Sequence, residues 1–387
     1  MQDFFRCAQE KFTKNWLSRL FVFDIITSLG LQNAKRMPKK DSIVSFARIP
    51  RGCVAIHFVR AALKARETVV FGGTPMQELS LRILEEVKKS VVGKDDVVRK
   101  VYMTILAGGH ILLEDIPGVG KTTLALAFAG AMDLRFRRLQ FTPDVTPSDI
   151  TGYSVPDLAA GTLKYRPGAA VCNLFLGDEI NRASPKTQSA LLEVMEEGQI
   201  TVDGVTRRIP PPFIVIATQN PEGSAGTQPL PESQLDRFMV RLSMGYPSPE
   251  DEERILMRSQ PGAAPERSAE PVIRREDLLR MQGETAAVYL SREMSRYLVR
   301  LANATRESED LRLGASPRAT LALAAMCRAG AYLEGRDYAV PQDAAAVFLD
   351  VMTHRVKLSP KARISNKTPF DVLAEILRSV PQPSLHR

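Results

Sequence analysis

The stretch from Leu112 to Leu124 combines a glycine-rich loop with a lysine and a threonine that could hold a phosphate group. An apolar run precedes the loop, and Lys121 and Thr122 open a helical pattern directly after it. Backbone N–H groups at such a helix N-terminus can cradle phosphate oxygens. Lys121 would reach the terminal phosphates of a nucleotide, and the Thr122 hydroxyl would bind Mg2+. A glycine-rich turn that leads into an ordinary apolar helix is the alternative.

The loop departs from the usual phosphate-binding pattern at one position. That pattern, G-x-x-x-x-G-K-[ST], begins with glycine, and this chain has Asp115 there. Gly118 and Gly120, at which the backbone approaches a phosphate closely, are both present. We therefore expect Asp115 to alter only the first turn of the loop. The expected contacts to ATP come from the loop and the first helical turn: Pro117, Gly118, Val119, Gly120, Lys121, Thr122 and Thr123.

Two further apolar runs end in polar side chains that suit nucleotide hydrolysis. Residues 173–177 lead to Asp178 and Glu179, and residues 213–219 lead to Asn220. In an open α/β sheet, such strand ends lie at the same edge as the phosphate loop. Asp178 would hold Mg2+ through its water shell, Glu179 would act as general base, and Asn220 would orient the attacking water. A solvated acidic pair and a turn asparagine before proline are the ordinary alternatives.

Two arginines further along the chain could stabilise negative charge in a transition state. Arg237 follows Asp236, and its permanent charge and planar donors suit an arginine finger supplied by a neighbouring subunit. Arg318 follows Ser316 and Pro317, which would open a helix whose first turn disfavours a cation. That conflict fits a residue that touches the γ-phosphate from a separate helical domain. A surface pair between Asp236 and Arg237 and a solvated Arg318 are the alternatives.

The basic excess of the chain is confined to its first 75 residues. The 387 residues carry a formal net charge of +8. Residues 1–75 hold 13 basic and 5 acidic residues, which leaves 39 of each sign in residues 76–387. A neutral body lacks the electrostatic footprint of a nucleic-acid-binding protein, so we expect no nucleic-acid partner.

The distribution of cysteines and apolar residues bears on the compartment. The four cysteines are far apart and form no C-x-x-C pair, which indicates a reduced, cytoplasmic setting. No apolar run reaches the roughly 20 residues that span a bilayer, so we expect no stable membrane insertion.

The segment 1–75 differs in character from the residues that follow it. It contains no motif, whereas an amphipathic helical pattern begins at Met76. A targeting peptide, a genuine basic adaptor segment and translated upstream sequence are three explanations of this change. Asp24 interrupts the only run that resembles the apolar part of a signal peptide. We favour translated upstream sequence, with Met76 as the native start.

In this order, the motifs resemble those of the AAA+ ATPases, and most closely those of the MoxR family. The resemblance covers about residues 76–380, and its most specific phrase is Gln140–Gly152, which generic nucleotide-binding proteins lack. It implies an α/β fold: a P-loop NTPase core with a parallel sheet and helices, followed by an all-α lid domain. We place the core at residues 76–256, a Pro/Ala-rich linker at 257–274 and the lid at 275–380.

The resemblance also implies a role for each candidate residue, with ATP and Mg2+ as cofactors. It places Val92 and Gly93 near the adenine, Lys121 and Thr122 in Walker A, Asp178 and Glu179 in Walker B, Asn220 as sensor 1, Arg237 as the finger and Arg318 as sensor 2. Residues 221–228 depart from the usual acidic sequence of the family.

Two segments are expected to project from the core. Residues 153–170 are polar and punctuated by Gly and Pro, and they lie where MoxR-like proteins carry a helix-2 insert. Residues 197–210 alternate around Asp203 and Gly204, which is a strong hairpin signal. In related ATPases such a hairpin can face the ring centre and contact substrate, and a passive edge hairpin is the alternative.

The function implied is that of a homo-oligomer, a hexameric ring, in which ATP hydrolysis drives chaperone-like remodelling, assembly or activation of a protein partner. Lid closure would bring Arg318 to the nucleotide, and the neighbouring subunit would supply Arg237. The resemblance suggests a client that bears a von Willebrand factor A-like domain. A nucleic-acid-associated motor and a magnesium-chelatase-like metal-insertion subunit are the alternatives, and the neutral body argues against the first.

Overall fold

The computed structural model describes residues 75–116, 118–158, 161–220, 228–258 and 269–383. Five regions that carry predictions lie outside this described part, and the predictions for them stay predictions. These regions are the N-terminal segment 1–74, Pro117, residues 159–160 of the predicted insert, residues 221–227 and the linker residues 259–268.

The α/β core occupies the chain up to Arg258. Its elements are α1 Pro75–Ser90, α2 Asp95–Leu106, β1 Ile111–Glu114, α3 Lys121–Ala131, β2 Phe136–Gln140, α4 Pro147–Thr151, β3 Gly152–Asp157, β4 Thr162–Pro167, β5 Leu174–Asp178, a 3-10 turn Ile180–Arg182, α5 Pro185–Glu197, β6 Gln199–Val202, β7 Val205–Arg208, β8 Ile214–Gln219, α6 Glu232–Leu235, β9 Val240–Leu242 and α7 Pro249–Arg258.

Five parallel strands form the central sheet in the order β2-β5-β8-β1-β9. The strands β5 and β8 are buried along their whole length, as expected for a parallel sheet covered by helices on both faces. Because the strands are parallel, the chain leaves all five at one edge, and the phosphate loop leaves β1 there. The predicted parallel core is therefore confirmed.

Local sequence signals set the ends of α5. The Ser184 hydroxyl accepts a hydrogen bond from the Thr187 N–H, and Pro185 stands at the first helical position. Gly198 ends the helix with a φ of 61°, a left-handed conformation that favours glycine. Both ends of α5 are therefore set by residues that suit a helix start and a helix end.

Two antiparallel hairpins project from the core. The strands β6 and β7 pair around Asp203 and Gly204, whose φ values of 51° and 73° make the tight turn that the sequence predicts. The strands β3 and β4 form the second hairpin within the predicted insert. The Arg207 guanidinium lies 4.1 Å from the centroid of the Tyr165 ring, so a cation–π contact joins the two hairpins.

The region after the linker is helical, as predicted. Its elements are α8 Arg275–Ala287, α9 Arg292–Glu307, β10 Leu311–Leu313, α10 Pro317–Leu333, α11 Pro341–Met352, β11 Lys357–Leu358, α12 Pro360–Ile364 and α13 Pro369–Ser379. The short strands β10 and β11 pair within this lid. The helix α7 continues to Arg258, so the first two residues of the predicted linker are helical instead. Within the part of the chain that the structure describes, none of the helices combines the length and the apolar character that a membrane span needs.

The lid packs against the helices that precede the sheet. Gln282 Nε2 of α8 donates a hydrogen bond to the Ile105 carbonyl of α2 at 2.7 Å. A Cβ on Gly330 of α10 would lie 3.1 Å from the Met103 side chain, so the glycine permits a close approach of α10 to α2. Tyr102 is fully buried and stacks on Phe128, with 6.1 Å between the ring centroids. One hydrophobic cluster therefore runs from the sheet into the lid.

Candidate active site

The phosphate loop has the backbone that phosphate binding requires. Gly118 and Gly120 have φ values of 87° and 93°, which side chains rarely permit. Apart from its chain neighbours, no atom of the described residues lies within 4 Å of the position that a Gly118 Cβ would take. Gly120 precedes α3, and no side chain of the described part caps that helix. The N–H groups of its first turn, at Lys121, Thr122 and Thr123, are therefore free of a cap and suited to phosphate oxygens.

Lys121 lies half-buried at the start of α3. Its ammonium donates a hydrogen bond to the Asp115 carbonyl at 2.8 Å. Burial lowers the pKa of Lys121, and the nearby charges of Asp115, Asp178 and Glu179 oppose that shift. The folded chain thus brings Lys121 close to Asp178 and Glu179, which are distant in sequence.

Thr218 holds the two acids at the end of β5. Its hydroxyl oxygen accepts a hydrogen bond from the Glu179 N–H at 2.9 Å and donates to Asp178 Oδ1 at 3.4 Å. The other oxygen of Asp178 accepts from Arg138 Nε at 2.6 Å. Sequence reasoning missed both partners. The parallel register that pairs Gly177 with Ala217 places Thr218 beside Asp178, so a correct strand alignment would have found it.

Glu179 adopts a backbone conformation that costs free energy. Its φ of 57° and ψ of 48° lie in the left-handed region, which non-glycine residues seldom occupy. Such conformations cost on the order of 1–3 kcal/mol and are concentrated at functional sites. The conformation turns the chain sharply after β5, and the Glu179 carboxylate pairs with Arg182 at 2.9 Å.

Asn220 follows β8, the strand that lies next to β5 in the sheet. Its carbonyl accepts a hydrogen bond from Asn181 Nδ2 at 3.2 Å, whereas no hydrogen bond reaches its buried Oδ1 from the residues that the structure describes. An unpaired buried polar atom is costly, so this site favours an additional polar group. The open glycine loop, the half-buried lysine and this unpaired atom together fit a nucleotide with its hydrolytic water.

The segment predicted to contact adenine lies against the start of α7. A Cβ on Gly93 would lie 1.9 Å from the Asp251 carboxylate, so only glycine permits this approach. Lys94 Nζ donates a hydrogen bond to the Tyr246 carbonyl at 2.7 Å. Val92 and Gly93 are therefore placed beside the loop that joins β9 to α7.

Asp115 binds that same loop and does more than alter the first turn of the phosphate loop. Its buried carboxylate accepts hydrogen bonds from Ser243 Oγ at 2.8 Å, Met244 N at 2.5 Å and Gly245 N at 3.0 Å. Its carbonyl accepts the Lys121 ammonium. Asp115 therefore joins the phosphate loop to the loop between β9 and α7, beside which Val92 and Gly93 lie.

Replacing Asp115 with glycine would restore the usual phosphate-loop pattern, and we expect it to weaken ATP binding. The change removes the acceptor of the buried Met244 N–H, at about 1–3 kcal/mol, and that of the partly buried Gly245 N–H. Titration with a fluorescent ATP analogue and thermal unfolding measure the two effects. Asp115→Asn, which keeps one acceptor oxygen, should have a smaller effect. Equal or tighter ATP binding by Asp115→Gly would refute this role.

The two predicted arginines share one carboxylate. Arg237 Nε donates a hydrogen bond to Glu196 at 2.8 Å, and the Arg318 guanidinium donates to the other oxygen of Glu196. Hydrogen bonds from Arg318 and Arg237 lower the pKa of the Glu196 carboxyl. The predicted alternative of a pair between Asp236 and Arg237 does not hold, because Asp236 pairs with a different arginine, Arg355. Arg318 pairs with Glu196 and keeps 45% of its side chain exposed to solvent.

The arginines lie at the opposite edge of the sheet from the phosphate loop. His110, just before β1, accepts a hydrogen bond from Met239 N through its carbonyl, and its ring contacts the carbonyl of Met195 beside Glu196. Asp115 follows β1 at the other edge, and five residues of extended backbone span roughly 16 Å. That distance exceeds the length of an arginine side chain. The structure thus does not bring Arg318 to the phosphate loop of its own subunit.

The ring of His110 is neutral in this position. Val215 N donates to its Nδ1 at 3.0 Å, so Nε2 carries the proton and donates to the Met195 carbonyl at 3.1 Å. Burial lowers the pKa of His110 to about 4. At neutral pH, His110 therefore places no positive charge between the arginine pair and β1.

Two family models match the chain in the order of these domains. The model described as the ATPase family associated with various cellular activities matches residues 110–240. The model described as the AAA lid domain matches residues 303–376. The first match contains the phosphate loop, both acids, Asn220 and Arg237, and the second contains Arg318.

Similar proteins match most of the chain. The uncharacterized protein YeaC of Bacillus subtilis is 43% identical over 302 residues, which are 78% of this chain and 94% of that protein. The chaperone MoxR1 of Mycobacterium tuberculosis is 40% identical over 314 residues, 79% of this chain and 82% of that protein. A crystal structure described as that of a candidate ATPase from Cytophaga hutchinsonii is 33% identical, with a TM-score of 0.74, and covers 84% of this chain and 99% of that one. The chain belongs to the MoxR family of AAA+ ATPases.

Proposed function

We propose that this chain hydrolyses Mg2+-bound ATP in a ring, a hexamer, at sites shared between neighbouring subunits. The placement of Arg237 and Arg318 on Glu196, at the sheet edge opposite Lys121, carries the proposal. Arginines that cannot reach their own subunit's nucleotide suit a neighbour's nucleotide instead. Head-to-tail contact between identical subunits, which closes into a ring, provides such a neighbour at every site.

Each residue has a defined part in the reaction. The phosphate-loop N–H groups and Lys121 bind the β- and γ-phosphates, and Glu179 takes a proton from the water that attacks the γ-phosphorus. Asn220 orients that water. The bond between the γ-phosphorus and the bridging oxygen breaks, which gives ADP and phosphate. Mg2+, held by Thr122 and through water by Asp178, would neutralise charge on the phosphates.

In this proposal Arg318 contacts the nucleotide of the neighbouring subunit, which differs from the expectation based on the sequence. The sequence led us to expect lid closure to bring Arg318 to the nucleotide of its own subunit. Because Glu196 holds Arg318 beside Arg237, we assign both arginines to the neighbour's γ-phosphate. The two guanidinium groups then reach the neighbour's γ-phosphate together, and Glu196 fixes the distance between them.

The remodelling of a protein client completes the proposal. The relative named chaperone MoxR1 supports a protein as client, and the family resemblance favours one with a von Willebrand factor A-like domain. The two linked hairpins expose apolar side chains that suit such contacts: Leu158, Leu163 and Val205. Their coupling through Arg207 and Tyr165 would let them move as one surface.

Sedimentation velocity and ATPase assays over one protein concentration series test the proposal. We expect the hydrolysis rate per chain to rise as the chain associates, because an isolated subunit lacks both arginines at its nucleotide. A monomeric fraction with the full rate per chain would contradict it. Stimulation of the rate by added DNA would instead support a nucleic-acid motor.

A further inference from the structure

Arg355 is a buried arginine that follows α11 in the lid. Its side chain is 2% exposed, and a charge that is buried to this degree is costly unless each of its donors is paired. A guanidinium has five N–H donors, and here five acceptors meet them. They are Asp236 Oδ1 at 2.7 Å from Nε, the Met239 carbonyl at 2.9 Å, the Phe238 carbonyl at 2.7 Å, the Asp236 carbonyl at 3.2 Å and the Val351 carbonyl.

Four of these five acceptors belong to residues 236–239 of the core. Asp236 and Phe238 are the residues directly before and after Arg237. The Arg355 side chain of the lid therefore binds the backbone on both sides of the predicted finger. His354 adds a second lid contact to the Phe238 carbonyl at 3.0 Å. The backbone of Arg237 is thus fixed by the lid, while its side chain is fixed by Glu196.

Asp236 also connects Arg355 to the helix that carries Arg318. One of its carboxylate oxygens accepts Arg355, and the other accepts a hydrogen bond from Ser316 Oγ at 2.8 Å. Ser316 is the cap of α10, whose first turn carries Arg318. One carboxylate therefore ties the finger segment to the start of the helix that presents Arg318.

We propose that Arg355 is a positioning residue that holds Arg237 and Arg318 as one preorganised pair for the neighbour's γ-phosphate. This inference rests on the proposed function, because the pair has no nucleotide to serve within its own subunit. The five-donor geometry is specific to arginine, since lysine offers three donors from a single point. A misplacement of about 1 Å can cost a reaction about 10²-fold.

Arg355→Lys tests the inference by its effect on ATP hydrolysis. We expect kcat to fall about 10- to 100-fold with KM for ATP unchanged, because the variant's own phosphate loop is intact. Mixing it with Glu179→Gln should restore hydrolysis. In such a mixture, Glu179→Gln subunits supply well-placed arginines to Arg355→Lys subunits, which retain Glu179.

Arg336→Lys is the matched control within the lid. Arg336 makes a two-pronged pair with Asp343, at 2.9 and 2.6 Å, and contacts neither Asp236 nor Arg237 among the described residues. We expect it to lower the melting temperature and to leave kcat unchanged. If Arg355 had only a structural role, Arg355→Lys would behave like Arg336→Lys. It would lower the melting temperature and would show no loss of kcat that Glu179→Gln subunits repair.

The outcomes separate this inference from the proposed function. If Arg237→Ala hydrolyses ATP at the wild-type rate, the proposed function fails. If Arg237→Ala is inactive while Arg355→Lys keeps the wild-type kcat, only the inference fails. Should Arg355→Lys not fold, Asp236→Asn replaces it, since it weakens the contacts to Arg355 and Ser316 and keeps the backbone contacts. A wild-type kcat for a folded Asp236→Asn, or a defect that mixing does not repair, would overturn the inference.

Discussion

Arg237→Ala should lower kcat for ATP hydrolysis by about 10³- to 10⁵-fold, the range typical of arginine fingers in phosphoryl transfer. The guanidinium stabilises charge on the γ-phosphate only in the transition state, so ATP affinity should remain near that of the wild type. The phosphate loop lies at the other edge of the sheet and is unaffected by the change. Steady-state ATPase kinetics with a separate binding titration measure the two quantities.

Arg312→Ala is the control for this prediction. Arg312 lies on β10 of the lid, has a side chain that is 64% exposed, and makes a loose contact with Glu232 at 3.6 Å. Loss of such an exposed contact costs little, so activity should not change. A comparable loss of activity in both variants would mean that general damage to the subunit contact, rather than the finger, explains the effect of Arg237→Ala.

Glu179→Gln should abolish most hydrolysis while ATP still binds, with kcat lower by about 10²- to 10⁴-fold. The amide keeps the shape of the side chain but cannot take a proton from the attacking water. The left-handed backbone at residue 179 and its bond to Thr218 do not depend on the carboxylate. Single-turnover hydrolysis and a nucleotide-binding titration test both parts of this expectation.

Glu193→Gln gives a matched control on α5, since Glu193 is exposed and lies on the helix that follows the acids. Its kcat should equal that of the wild type. Loss of ATP binding by Glu179→Gln would show that the carboxylate shapes the pocket, and rapid hydrolysis by it would remove Glu179 from the role of general base.

The parts of the site that depend on local sequence could be predicted from it. Gly118 and Gly120 indicate a phosphate loop because residues other than glycine seldom adopt the positive φ values found there. The Ser184 and Ser316 caps with the following prolines fix two helix starts. Asp178, Glu179 and Asn220 come together because parallel strands end at one edge, a rule that needs only the order of the strands.

The parts that depend on contacts between distant residues could not be predicted. Glu196 and Arg318 are 122 residues apart, and Asp236 and Arg355 are 119 apart, so no spacing rule joins them. For the same reason the sequence does not show that Asp115 binds residues 243–245, which lie 128 to 130 residues further along the chain. The expectation that lid closure brings Arg318 to the nucleotide stays a prediction. The structure places Arg318 beside Arg237, and the path of α10 relative to the sheet, which the sequence does not show, decides that position.

A mixture of Arg237→Ala and Glu179→Gln tests the shared site most directly. Each protein alone should be nearly inactive, the first for lack of a finger and the second for lack of a base. In a mixed ring, a nucleotide held by an Arg237→Ala subunit next to a Glu179→Gln subunit has every group it needs. With random assembly at equal amounts, about a quarter of the subunit contacts have this composition. Recovery of hydrolysis on mixing is the predicted result, and a mixture as inactive as its two components would contradict a site shared between subunits.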